Sequence, residues 1–164
     1  MPELVKMLTK YVITLKAFKH AKFASEETVC FEANVYANGK KIGYAQNDGR
    51  GGCTDVRTFD AKEKPLMDEV DAYFKTLPEE EHSYESGGKT HTYTSQPSLE
   101  DVVYGIACKL ETCKGVTAFR LKDMPKGQWQ IIKSAYTPKM QSYLESEYGD
   151  DLDEVMNAGL EVRV

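Results

Sequence analysis

The pair Asn38-Gly39 lies between two strand-like segments and constrains the fold more than any other feature of the sequence. Residues 28–37 alternate between apolar and polar side chains, which places the apolar residues from Phe31 to Ala37 on one face of a strand. Asn and Gly both tolerate the positive φ angles that a two-residue type I′ turn requires. The return strand then covers residues 40–46. We therefore predict an antiparallel hairpin with one buried face.

The other segments predict further strands and helices. Alternation predicts strands at 11–18, 116–121 and 127–133, and apolar spacing with capping residues predicts helices at 61–77, 98–112, 137–149 and 150–158. Because most strands come as hairpins, we predict an α+β fold, a mostly antiparallel sheet with three to four helices packed on one face. The residues expected to be buried together are Phe31, Val35, Leu66, Val70, Phe74, Val102, Ile106, Leu110 and Leu144.

The segment 78–97 contains three consecutive glutamates, a Gly-Gly pair and many hydroxyl side chains, without apolar periodicity. A stretch of this length without secondary structure is usually functional or disordered. We predict a mobile surface loop. Two short edge strands within it are the alternative.

Length and composition narrow the class of protein. A chain of 164 residues has the size of one domain, so we expect residues 1–164 to form a single domain. No window has the apolar length of a transmembrane helix, and lysines interrupt the N-terminal residues where a signal peptide would be apolar. We therefore expect a cytoplasmic protein without membrane contact. The four cysteines form no C-x-x-C pair, and we expect reduced thiols, no metal site and no cofactor.

The formal net charge of −5 disfavours direct nucleic-acid binding, because that binding depends on neutralising phosphates. A local basic face is one interpretation of the lysines near the end of the first strand. The residues that would form it are Lys16, Lys19, His20, Lys22, Lys40 and Lys41. The alternative, which we favour, is a solvated edge whose lysines discourage strand-to-strand aggregation.

A glycine-rich loop follows the predicted hairpin and is the strongest candidate for a binding site. The residues proposed to bind a ligand or partner there are Asn47, Asp48, Gly49, Arg50, Gly51 and Gly52. Backbone N–H groups in such a loop can face an anion, and Arg50 adds a fork of donors for a phosphate or carboxylate. The alternative is an irregular turn in which glycines adopt positive φ and Asn47 or Asp48 bonds to its own backbone.

Two further groups of side chains extend this candidate. Glu26 and Glu27 precede the hairpin, and with Asp48 and Asp55 they could form an acidic rim at the same end of the sheet. Cys53 follows the glycines, and the imidazoles that could activate it are His20, His82 and His91. The more common role of such a cysteine is a small buried apolar side chain, and we expect no catalytic residue.

The stretch FASEETVCFEANVYANGKKIGYAQNDGRGG covers residues 23–52. It resembles a segment of small uncharacterised proteins encoded by phages and bacterial mobile elements. The resemblance extends more loosely to WQIIKSAYTPKMQSYLESEYG, residues 129–149. It implies a phage or prophage origin, a location in the host cell cytoplasm and a role as an accessory factor.

These observations favour a non-enzymatic accessory protein that binds a host protein, for example to inhibit a host defence or nucleic-acid-processing protein. An acidic surface suits that role, because carboxylates attract the same basic residues that hold phosphates. The alternative is a small enzyme or nucleotide- or anion-binding module that uses the NDGRGG loop.

Overall fold

The computed structural model describes residues 10–164. The strands are β1 Val12–His20, β2 Phe31–Ala37, β3 Lys40–Asn47, β4 Asp55–Arg57, β5 Glu80–Ser86, β6 Lys89–Ser95, β7 Thr117–Leu121, β8 Gln130–Ile132, β9 Leu152–Val155 and β10 Val162–Arg163. The α-helices are α1 Lys64–Phe74, α2 Leu99–Thr112 and α3 Pro138–Tyr148. Short 3₁₀ turns cover Lys22–Ala24, Gly149–Asp151 and Met156–Ala158. The combination of α-helices with antiparallel sheets confirms the predicted α+β class.

The main sheet has five strands in the order β10-β1-β2-β3-β4, and each neighbouring pair is antiparallel. The predicted central hairpin is confirmed, because β2 pairs with β3 and Ala37 lies opposite Lys40. Asn38 and Gly39 have φ angles of 50° and 79°, as a type I′ turn requires. The register between β1 and β2 shifts between Lys16 and Lys19, where Ala17 takes a φ of 53°. A bulge of this kind bends the strand and increases its local twist.

Helices α1 and α2 cover one face of the main sheet and enclose the larger hydrophobic cluster. Most of the predicted core residues lie in it: Phe31, Val35, Val70, Phe74 and Ile106 are buried, and Leu66, Val102 and Leu110 pack partly buried against them. The Ser98 hydroxyl accepts a hydrogen bond from the Asp101 N–H at 3.2 Å and caps α2 as predicted. Thr137 caps α3 in the same way, with Pro138 in its first turn.

A second, three-stranded sheet in the order β8-β7-β9 packs against α3. The predicted helix at 150–158 is wrong, because residues 152–155 pair with β7 as a strand. The prediction that Leu144 joins the main core is also wrong: Leu144 is buried with Phe119 and Val155 in a separate cluster. Its apolar spacing identified an inward-facing residue, but α3 packs on the small sheet and not on the large one.

The prediction of a surface loop without strands at 78–97 is wrong, and the alternative of two strands describes the structure. Strands β5 and β6 form a two-stranded antiparallel hairpin with Ser86 opposite Lys89. Gly87 and Gly88 form its turn, with φ angles of 61° and 72°. Nearly all of its residues are exposed, so the hairpin contributes almost nothing to the hydrophobic clusters.

Candidate functional site

The glycine-rich loop is organised around the buried side chain of Asn47. Its Oδ1 accepts hydrogen bonds from the Thr28 hydroxyl at 2.7 Å and from the Gly49 N–H at 2.9 Å. Its Nδ2 donates to the Gly52 carbonyl and to the Thr54 hydroxyl, both at 3.2 Å. One amide therefore holds both ends of the loop and ties it to the segment before β2.

The Gly49 carbonyl joins the glycine-rich loop to the residues that precede β2. It accepts N–H groups from Glu26, Glu27 and Thr28 at 3.0, 2.9 and 3.3 Å. Gly49 and Gly51 have φ angles of 81° and 84°, whereas Gly52 has no positive φ. The structure therefore brings the glycine-rich loop and the segment before β2 together, as expected from the sequence. Positive φ angles require glycine at positions 49 and 51 but not at 52.

Three backbone donors of the glycine-rich loop are satisfied by side chains of the loop and of the segment before β2. The N–H groups of Gly49, Arg50 and Gly51 donate to the side chains of Asn47, Asp48 and Thr28. These groups do not face a bound anion in this conformation. The side chains of Asp48 and Arg50 remain exposed, so any ligand of this loop would meet side chains and not a cradle of amides.

Two concavities adjoin the loop. The first, of about 590 Å³, is lined by Lys19, His20, Ala21, Cys30, Phe31, Glu32, Gln46, Asn47, Asp48, Gly52, Cys53 and Asp55. The second, of about 440 Å³, lies between the loop and the start of α2, and its lining includes Thr28, Gly51, Gly52 and Asp101. Both volumes are in the range of small-molecule sites. Glu26, Glu27 and Arg50 line neither one, so only part of the predicted site is concave.

The predicted acidic rim divides into separate contacts. Asp55 forms an ion pair with Arg57. The Glu27 carboxylate packs against Gly51, so that a Cβ added to Gly51 would lie 2.2 Å from the Glu27 Oε2. Glu26 and Asp48 are exposed. In residues 10–164, no three His, Cys, Asp or Glu side chains are grouped to hold a metal ion. The rim therefore supplies scattered carboxylates and no shared acid-base pair.

The first concavity also contains the thiol and imidazole singled out in the sequence. Cys53 is exposed, and both it and His20 line this cleft, whereas His82 and His91 lie on the β5–β6 hairpin. Glu32 in the same cleft accepts the hydroxyl hydrogen bond of Tyr44, and this bond, with burial, raises the pKa of Tyr44 to about 12. Outside this cleft, burial raises the pKa of the Cys108 and Cys113 thiols.

One face of the β5–β6 hairpin carries a ladder of aromatic rings and imidazoles that the sequence interpretation missed. His82 stacks on Tyr93 and Tyr84 stacks on His91, each with ring centroids 5.1 Å apart. The two tyrosines contact each other at 6.2 Å, and each leaves 53% of its surface exposed. We call His82, Tyr84, His91 and Tyr93 the aromatic face. It is a set of large side chains held in place mainly by one another.

The sequence contains the signal for this face. His82 and Tyr84 alternate before Gly87-Gly88, and His91 and Tyr93 alternate after it, which is the pattern of a hairpin with a two-residue turn. The acidic and hydroxyl residues between them favoured the prediction of a loop. No residue of the hairpin is buried in a hydrophobic cluster, so the apolar face that normally identifies a strand is absent.

The hairpin is anchored at its base by Gln96. The Gln96 Nε2 donates to the carbonyls of Phe74 and Leu77 at 2.8 Å each, and so caps the end of α1. The hairpin itself is acidic, since Glu79, Glu80, Glu81 and Glu85 outnumber Lys89. The hairpin presents its aromatic face away from the hydrophobic clusters, with Glu80 on that face and Glu81 and Glu85 on the opposite one.

Comparison with family models, curated proteins and solved structures found no match to this chain. Among the helices of residues 10–164, none combines the length and the apolar character needed to cross a membrane.

Proposed function

We propose that this chain binds a host protein through the aromatic face of the β5–β6 hairpin. The observation that carries the proposal is the pair of half-exposed tyrosines, Tyr84 and Tyr93, whose rings contact each other in a tilted arrangement on an element that adds almost nothing to the core. Tyrosine is enriched among the residues that dominate protein interfaces. Stacking on His82 and His91 restrains the rings before a partner arrives, which lowers the entropy lost on binding.

The charge of the hairpin supports a partner with a basic surface. Four glutamates lie at 79–81 and 85, with Glu80 on the aromatic face and Glu81 and Glu85 on the opposite face of the hairpin, and Lys89 is the only lysine or arginine among residues 78–97. Carboxylates of this kind attract arginines and lysines that would otherwise contact phosphates. In line with the resemblance of residues 23–52 to phage and mobile-element proteins, the partner we propose is a host defence or nucleic-acid-processing protein, and the chain acts as an accessory factor that occupies it.

The test begins with capture from host lysate and ends with a measured affinity. A protein retained by the wild-type chain is purified, and its dissociation constant is compared for wild type, Tyr84→Ala and Ser83→Ala. Tyr84 lies on the aromatic face, whereas Ser83 lies on the opposite face of the same strand and serves as the matched control. We expect Tyr84→Ala to weaken binding by about 30-fold, the effect of a central interface residue. Ser83→Ala should bind as the wild type does. Equal affinity of all three chains would refute the proposal.

A small-ligand site at the glycine-rich loop is the second candidate function, favoured by the cleft of about 590 Å³ that Asp48, Gly52 and Cys53 help to line. Its ligand would be a nucleotide or another anion, held by the Lys19 ammonium group, which lines this cleft. Thermal unfolding in the presence of nucleotides tests it directly. Stabilisation of the wild-type chain that is lost in Lys19→Ala but kept in Tyr84→Ala would favour this function over protein binding.

A further inference from the structure

The outer edge of β6 differs from the edges that soluble proteins normally leave open. Among residues 10–164, only β5 pairs with β6, so the other side of this seven-residue strand is free. Thr90 to Ser95 include no acidic residue, lysine, arginine or proline. Open edges usually carry charges or proline, because an unprotected edge recruits another strand.

The turn geometry fixes which backbone groups point outward from β6. Ser86 and Lys89 close a two-residue turn, so they form a hydrogen-bonded pair. Hydrogen-bonded and non-hydrogen-bonded pairs alternate along an antiparallel ladder, which makes Ser83–Thr92 a non-hydrogen-bonded pair. The N–H and C=O groups of Thr90, Thr92 and Thr94 therefore face the free edge.

We propose that a second copy of this chain occupies this edge, pairing β6 with β6 in antiparallel orientation about a two-fold axis at Thr92. In that register Thr92 lies opposite Thr92, and Thr90 lies opposite Thr94 of the second copy. These outward-facing groups form about six backbone hydrogen bonds. The two hairpins become one four-stranded sheet, and the same surface serves both copies, as a closed two-fold dimer requires.

The side chains of β6 complement themselves in this register. His91 lies opposite Tyr93 of the second copy, and an imidazole already stacks on a phenol twice within each hairpin. Lys89 lies beside Ser95 of the second copy. Glu80 is opposite that Ser95 on the next strand and on the same face, so the only lysine of β6 has a carboxylate two strands away on its own face. The directly opposite aromatic pair stabilises a sheet, and the lysine and the glutamate attract each other across the intervening serine.

The edge of β5 provides the contrasting case. Pairing β5 with β5 about its central residue, Ser83, would place Glu81 opposite Glu85 of the second copy on both sides of the axis. Like charges directly opposite each other destabilise a sheet. The chain therefore protects one edge of the hairpin with carboxylates and leaves the other edge able to pair.

The expected dimer is weak, because one strand edge buries less surface than a standard protein interface. Sedimentation velocity from about 1 μM to about 1 mM should show the mass rising toward twice the 18.5 kDa of the chain. Each copy carries a net charge of −5, so added salt should strengthen the association by screening their repulsion.

Proline substitutions distinguish the two edges. Thr92→Pro removes an N–H that faces the free edge and no hydrogen bond within the hairpin, and it should raise the dissociation constant at least about tenfold. Ser83→Pro removes the corresponding outward N–H of β5 and is the matched control, which should dimerise as the wild type does. Circular dichroism of both variants verifies that the main sheet is retained.

A charge-swap experiment tests the position of the axis without proline. Thr92→Lys and Thr92→Glu each place two like charges opposite each other across the two-fold axis, and each should weaken self-association about fivefold. An equimolar mixture of the two variants pairs lysine with glutamate and should associate more tightly than either alone. A wild-type chain that stays monomeric at about 1 mM, or a dimer unaffected by Thr92→Pro, would overturn the proposal. Loss of association in Ser83→Pro, or no gain on mixing, would also overturn it. These results are independent of host-protein binding, which is measured with Tyr84→Ala.

Discussion

Gly49 meets two constraints that a residue with a side chain cannot meet together. Its φ of 81° is in the left-handed region, and a Cβ at this position would lie 2.1 Å from the Ala24 carbonyl oxygen and 2.9 Å from the Cys30 Cβ. We predict that Gly49→Ala lowers the free energy of unfolding by about 2 to 5 kcal/mol, from backbone strain and overpacking together. Urea unfolding followed by circular dichroism measures the loss. Gly52→Ala is the control and should be nearly neutral, because Gly52 has no positive φ and open space around its Cα. Equal stability of Gly49→Ala and wild type would contradict both the positive φ of Gly49 and its close approach to Ala24.

The glycine-rich loop also shows what single residues reveal before a structure exists. The short-range bonds from Asn47 to the Gly49 N–H and from Asp48 to the Arg50 N–H follow from the known behaviour of these side chains in turns. The contacts of Asn47 with Thr28 and Thr54 depend on how β2 and β3 bring distant segments together. The sequence therefore identified the loop. It did not show that nearby side chains accept the hydrogen bonds of the loop's backbone N–H groups.

At the scale of the element, the β5–β6 hairpin depends on one amide for its anchorage. The two hydrogen bonds from Gln96 to the carbonyls of Phe74 and Leu77 join the hairpin base to the end of α1. We predict that Gln96→Glu, which replaces the donor with a carboxylate oxygen, costs about 1 to 3 kcal/mol. Its larger effect should be local, because few other contacts hold the hairpin. Amide hydrogen exchange should accelerate in residues 80–95 and stay unchanged in the β2–β3 hairpin. Unchanged exchange in residues 80–95 would show that the anchor lies elsewhere.

The two hairpins explain why one element was predictable and the other was not. The β2–β3 hairpin has a favourable turn and an apolar face that is buried, so the local and the tertiary signals agree. The β5–β6 hairpin has the turn and the alternation but no buried face, and its polar composition favoured a loop. Residues 150–158 show the opposite case, in which an apparent helix pairs instead with the edge of β7. Tertiary pairing outweighs local helix preference there.

On the scale of the whole molecule, the hydrophobic residues form two clusters and not one. Apolar spacing predicted that Ile106 and Leu144 face inward, and they are 1% and 0% exposed. It could not predict that α2 packs on the large sheet and α3 on the small one, because amphipathicity gives the direction of a face and not its partner. The Asn157 side chain joins the turn after β9 to the start of β7. It accepts a hydrogen bond from the Ala118 N–H and donates one to the Val116 carbonyl, both at 2.9 Å.

The separation of the clusters predicts that their stabilities can be lowered independently. Emptying either buried site, by Ile106→Ala or by Leu144→Ala, should cost about 2 to 5 kcal/mol. Trp129, the only tryptophan, lies next to β8 with the Arg120 guanidinium 5.1 Å from its ring, so its fluorescence reports on the small sheet. Far-ultraviolet circular dichroism reports mainly on the helices, and two of the three, α1 and α2, pack on the large sheet. In Leu144→Ala, the Trp129 transition should move to lower urea concentration than the circular dichroism transition, because part of a protein can unfold before the rest. In Ile106→Ala, the circular dichroism transition should move at least as far as the Trp129 transition. Coincident shifts of both signals in both variants would show one cooperative unit and contradict this prediction.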